Sequence, residues 1–117
     1  METERLRRYE RLRLRRDFDR VFKEGKSVQD DVIRIVYVKN GLDHRRMAVV
    51  VRKRIGKAHV RNRLKRLVRE VFRKNKGAFP RGFDMVFIFK DGVREIAEDL
   101  KYDDLKKTIL KLVERME

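Results

Sequence analysis

The chain has 117 residues, with 34 Lys/Arg against 19 Asp/Glu and a formal net charge of +15. That length gives one domain, 1–117, burying roughly two thirds of its unfolded surface, and the charge calls for a polyanionic partner. Absence of cysteine excludes disulfides and thiolate metal sites; with no apolar run near the ~20 residues that span a bilayer and no signal peptide, a cytoplasmic protein with no membrane partner is expected.

Residues 1–14 carry five Arg and three Glu around Leu6, Tyr9, Leu12 and Leu14. They are expected to form a basic arm that orders on its polyanion. A short helix follows, with Leu14, Phe18, Val21 and Phe22 on one side and Gly25 as its stop. Val28 fits a short edge strand ahead of Asp30-Asp31. From Val32 to Lys39 the residues alternate as a strand, with Ile33, Ile35 and Tyr37 on one face and Val32, Arg34, Val36 and Val38 on the other; Asn40-Gly41 is a turn. Met47 to Val51 is a continuous apolar run, expected as a central strand covered on both faces.

From Arg52 to Lys76 there are twelve Lys/Arg and one acid, Glu70, which places +11 of the chain's +15 in one stretch. Within it Val60, Leu64, Leu67 and Val71 recur at helical spacing, and Asn62, Arg66, Arg69 and Arg73 repeat that spacing two residues later. At about 100° per residue the two rows lie on opposite faces. A solvated surface helix would also show a charged face, but its cations would be balanced by i,i+4 acids, and here only Glu70 is available. The approach Arg52-Lys53-Arg54-Ile55-Gly56 and the first turn Lys57, His59 and Arg61 put cations where the helix dipole disfavours them, at about 0.3–1 kcal/mol each when exposed. A phosphate bound there reverses that sign.

The helix is expected to end near Asn75-Lys76-Gly77, with a loop to Gly82 and a strand over Phe83 to Lys90 closed by Asp91-Gly92. Ile96 to Leu100 is ambiguous. Tyr102, Leu105, Ile109, Leu112 and Met116 define a terminal amphipathic helix with Asp103 and Asp104 in its first turn. Asp91 to Glu117 holds six Lys/Arg against eight acids, so this segment is expected to pack the fold and not to meet the polyanion. The order helix, strands, helix, strand, helix gives an α+β fold, a mixed α/β sandwich.

No HExxH, P-loop or Gly-rich dinucleotide turn is present, and nothing ties His44 or His59 to a carboxylate. No catalytic or metal-ligating residue is assigned, and Asp30, Asp31 and Asp91 are read as turn residues. The protein alone is not expected to be a nuclease.

The run Arg52-Lys53-Arg54-Ile55-Gly56-Lys57-Ala58-His59-Val60-Arg61-Asn62-Arg63-Leu64-Lys65-Arg66-Leu67-Val68-Arg69-Glu70 resembles the signature of the bacterial ribonuclease P protein subunits, whose Arg-Asn-Arg helix names the motif. Arg15-Arg16-Asp17-Phe18-Asp19-Arg20-Val21-Phe22-Lys23-Glu24-Gly25 resembles that family's first helix, and the likeness covers about residues 10–115. The resemblance implies a four-stranded mixed sheet with a left-handed βαβ crossover through the Arg-Asn-Arg helix, the opposite of the general rule. It implies two partners, the catalytic RNA of ribonuclease P and precursor tRNA, with no obligate protein partner. In that assembly the RNA carries the active site and holds the Mg2+, and the 5′ leader of precursor tRNA is cleaved off. Carried over by position, Arg52, Lys53, Arg54, Gly56, Lys57, Arg61, Asn62, Arg63, Lys65, Arg66, Arg69 and Arg73 would meet the catalytic RNA, and Arg15, Phe18, Phe22, Arg34 and Val36 the single-stranded leader.

Two points stay open on the residues. An i,i+4 Phe pair on an amphipathic helix also fits a core face, and Val36 stands where some family members have an aromatic. A second reading is a ribosomal or assembly protein that binds structured RNA without supporting catalysis. A third, a major-groove DNA binder, is disfavoured because only Asn62 on the cationic face suits base-edge readout.

Overall fold

The computed structural model describes residues 6–117. Its elements run α1 (Arg15–Glu24), β1 (Lys26–Gln29), β2 (Ile33–Lys39), β3 (Arg46–Val50), α2 (Ala58–Lys74), β4 (Phe83–Phe89) and α3 (Tyr102–Glu114). The strands form one sheet in the order β1-β2-β4-β3, antiparallel except for the β3–β4 pair, which α2 connects as a parallel crossover. The α+β architecture expected from the residue pattern is the one found.

Alternation in β2 and β4 divides the apolar residues between two layers. Ile33, Ile35, Tyr37, Met85, Phe87 and Phe89 face α2 and α3, joining Val60, Leu64, Val68, Val71, Phe72, Leu105 and Ile109 in the main core. Leu67 is only half-buried, while Val60, Leu64 and Val71 of the expected row are buried together with Val68 and Phe72, so the buried stripe of α2 keeps most of that row and widens to one side. The opposite sheet face packs a smaller cluster of Val36, Val86 and Ile88 against Val21 of α1 and Leu12.

Two expectations are corrected. β3 is not central: it is the edge strand beside β4, half-buried at most positions. Its apolar run reflects cover on both faces, by α2 on one side and Phe18 on the other, together with cover along its outer edge. That edge is met by the N-terminal segment, where Arg11 bridges to Met47 and the Leu12 amide donates to the Met47 carbonyl at 2.9 Å. Hence residues 6–14 are not an arm that awaits its partner. A 3-10 turn at Arg8–Glu10 is anchored by buried Glu10, which accepts from Lys76 Nζ at 2.7 Å and from the Arg7 amide at 2.8 Å, and Leu12 is buried. Residues 1–5 of the expected arm lie outside the described residues.

α1 is fixed at its N-terminal half by a buried charge. Asp84, near the start of the inner strand β4 and fully buried, accepts from Arg46 Nε and Nη2 at 2.8 Å each, from Arg20 Nη2 at 2.8 Å and from Asn40 Nδ2 at 3.0 Å. Arg46 also reaches Asp17 at 3.3 Å, so two side chains of α1 close on one carboxylate–guanidinium pair. The hydrogen bond to Asp84 holds the Arg46 guanidinium above its ordinary range, against the opposing effect of burial. At the other end, Gly25 gives α1 its close exit: a Cβ there would fall on the Val21 carbonyl oxygen and stand 2.9 Å from that of Tyr37.

Candidate nucleic-acid interface

α2 exposes a cationic face because its apolar stripe is used entirely by the core. Asn62 and Arg66 are exposed, and Lys65, Arg69 and Arg73 half-exposed, along one side of 17 helical residues that begin without an acid in the first turn and without a side-chain cap. Lys53 and Lys57 are exposed just ahead of it. Several cations of the motif are already engaged. Arg52 and Arg54 both reach Asp91, each at 3.3 Å, an exposed arrangement of small energetic weight. Arg73 and Lys74 share Glu70 at 3.4 and 3.9 Å. Arg61 donates through Nε to the Gly56 carbonyl at 3.1 Å. Gly56 itself is extended, and a Cβ there would stand 3.2 Å from Val60 Cγ1, so its missing side chain makes room for the first turn of α2.

Arg63, the second arginine of the Arg-Asn-Arg motif, points the other way. Its Nη1 donates to the Ala97 carbonyl at 2.9 Å and its Nη2 to that of Leu100, tying α2 to the 96–100 stretch, which is turn and neither helix nor strand. Arg63→Ala should therefore lower stability by about 1–2 kcal/mol, the scale of charged hydrogen bonds to otherwise unpaired carbonyls. Urea melts check this, and an unchanged midpoint would return Arg63 to the outer face.

The second surface is the sheet face beneath α1. Register places three rows across β2, β4 and β3: Val38–Asp84–Arg46, Val36–Val86–Ala48 and Arg34–Ile88–Val50. α1 covers the first through Asp17 and Arg20, and Val21 packs into the cluster around the second. The third is the open end, where exposed Arg34 borders a cleft of about 530 Å³ shared with Arg52, Ile88, Lys90 and Asp91. Val36, expected to touch a leader, is 2% exposed and belongs to the packing under α1, so its side chain is not part of the surface. Phe22 is outside the core. Val21 is the one fully buried apolar side chain of α1, while Phe18 is half-buried against the small cluster at the rim and Phe22 and Leu14 are 50% and 51% exposed. Arg15 is exposed at the start of the same helix. Three apolar side chains at i, i+4, i+8 thus line one flank of α1 beside an apolar sheet face edged with arginine.

Sequence reasoning missed the partners of Asp84 and Asp91, acids outside the basic stretch that organise cations within or near it. Among the described residues no group of three or more His, Cys, Asp or Glu is placed to hold a metal ion, and no helix is long and apolar enough to cross a membrane.

The family model for Ribonuclease P matches residues 6–117. The Ribonuclease P protein component of Thermotoga maritima is 48% identical over 115 residues, 98% of each chain. The solved RNase P protein from that organism superposes with a TM-score of 0.86 at 47% identity, covering 92% of this chain and 98% of that one. The RNase P protein of Staphylococcus aureus, at 26% identity, gives a TM-score of 0.78 over 91% of this chain and 94% of its own.

Proposed function

The chain belongs to the ribonuclease P protein family, and from that membership we propose that it binds the catalytic RNA through α2 and the 5′ leader of precursor tRNA through the face beneath α1. As a ribonuclease P protein component it is part of a tRNA-processing endoribonuclease with an RNA partner. The finer assignment rests on one observation. The aromatic pair of α1 lies on the rim of an apolar, arginine-edged sheet face, with Phe22 outside the core, which suits unpaired bases. The cations of α2 present a phosphate-binding surface next to it.

In this reading the reacting bond is cleaved at a site on the catalytic RNA, which would hold most of the Mg2+, in the cytoplasm. Such a metal supplies activation of water and stabilisation of the leaving oxygen. The protein's work is positioning: Phe18 and Phe22 support leader bases, while Arg34 and Arg15 neutralise leader phosphates. Lys53, Lys57, Asn62, Lys65, Arg66 and Arg69, with Arg52, Arg54, Arg61 and Arg73 freed from their intramolecular acceptors, hold the catalytic RNA. Arg63 acts through the stability of α2.

Purified protein combined with a bacterial ribonuclease P RNA and precursor tRNA at low Mg2+ should restore removal of the 5′ leader; RNA binding without restored cleavage would favour an assembly protein instead. On the α2 surface, Arg66→Ala should leave the fold intact and weaken RNA binding. The slope of log K against log salt should flatten by roughly 0.7–0.9 for each phosphate that is no longer neutralised. A salt-insensitive affinity of the parent protein would remove α2 from the interface.

A further inference from the structure

Between the N-terminal segment, the outer edge of β3 and the flank of α2 lies a cavity of about 240 Å³. Arg11, Arg13 and Arg69 line it, with Leu12, Phe18 and Met47, and no acid takes part. Among the described residues none of the three arginine side chains has a hydrogen bond or an ion pair, unlike Arg63, Arg46 or Arg52. Backbone pairing of Arg11 and Leu12 with Met47 fixes the segment in place, so the convergence of like charges is built into the main chain. It is unfavourable in the free protein: half-buried Arg69 is pushed below its ordinary range by burial and then by the Arg11 guanidinium. A fold that holds uncompensated guanidinium groups around one cavity is complementary to an anion that enters between them.

We infer that Arg11, Arg13 and Arg69 form a site for one backbone phosphate of the bound RNA, at the junction between the α2 surface and the cleft beneath α1. The identity of that anion as RNA rests on the function proposed above; the site itself rests on the cavity. Because Phe18 lines the same cavity, a nucleotide held there touches both surfaces and sets their spacing. Arg11 and Arg13 become binding residues, and the N-terminal segment becomes the third wall of the interface.

The test has two arms. Inorganic phosphate titrated into the ¹⁵N-labelled free protein should shift the Nε–Hε resonances of Arg11 and Arg69 together and saturably, and Arg69→Gln should abolish the response at Arg11. With ribonuclease P RNA at fixed salt, Arg11→Gln and Arg69→Gln should each weaken binding by about tenfold. The double variant should fall little below either single one, since both residues serve one phosphate. At low salt Arg11→Gln should melt no lower than the parent protein, because it relieves a repulsion. Absence of a saturable phosphate shift, or effects that multiply in the double variant, overturns the site. If phosphate saturates it while the parent protein fails to restore leader removal, the proposed function falls and the anion site stands.

Discussion

Asp84→Ala should destabilise the protein by about 3–5 kcal/mol, the loss found when one partner is removed from a buried, fully hydrogen-bonded ion pair. The substitution strands Arg46, which donates twice to Asp84, and frees Arg20 and Asn40. Calorimetric or urea unfolding at neutral pH measures the effect, and a loss under about 1 kcal/mol would mean that the cluster is solvated and exchangeable. The consequence extends to function, because Asp17 and Arg20 attach α1 to the sheet through this same cluster. Any Asp84 variant that still folds should discriminate poorly between precursor and mature tRNA while binding the catalytic RNA nearly as before.

Phe22→Ala should produce the reverse pattern. With half of its surface exposed, Phe22 contributes little core area, so its removal should barely move the melting temperature. In the assembled ribonuclease P it should weaken precursor tRNA relative to mature tRNA by about 1–3 kcal/mol, the worth of one base–aromatic stack. Phe18→Ala should do both, since Phe18 packs against the small cluster and also lines the rim. Binding constants for the two tRNAs, set beside thermal melts, separate the roles. If Phe22→Ala lost stability with unchanged discrimination, α1 would be a packing helix only.

The elements of this fold were legible where one period dominates. α2 announces itself by opposed apolar and cationic rows, and β2 by strict alternation that the structure reproduces in two separate cores. β3 misled because a continuous apolar run reports that both faces are covered and carries nothing about position in the sheet. The edge is protected by Arg11 and Leu12, far away in sequence, and no local pattern encodes that pairing. The same distance hid the acids. Asp84 finds Arg20 across 64 residues and Arg46 across 38, and the one signal available was an acid inside the apolar run Phe83–Phe89, which demands buried partners without naming them. Arg63 shows the limit of reading a helix by face alone: a long side chain half-way round can turn inward to carbonyls that only the tertiary fold supplies.

Strand order also sets a timetable for synthesis. β4 lies between β2 and β3, yet it is the last of these strands to emerge, so β2 and β3 lack the strand that joins them until Phe83–Phe89 has left the ribosome. Until then α2, finished nine residues earlier at Lys74, has no assembled sheet to cover its apolar stripe. A helix with such a face gains most of its stability from packing that face, and not from propensity. The most cationic stretch of the chain is therefore synthesised ahead of the strand that completes the sheet it packs on, which makes the finished shape of that surface a late product of folding.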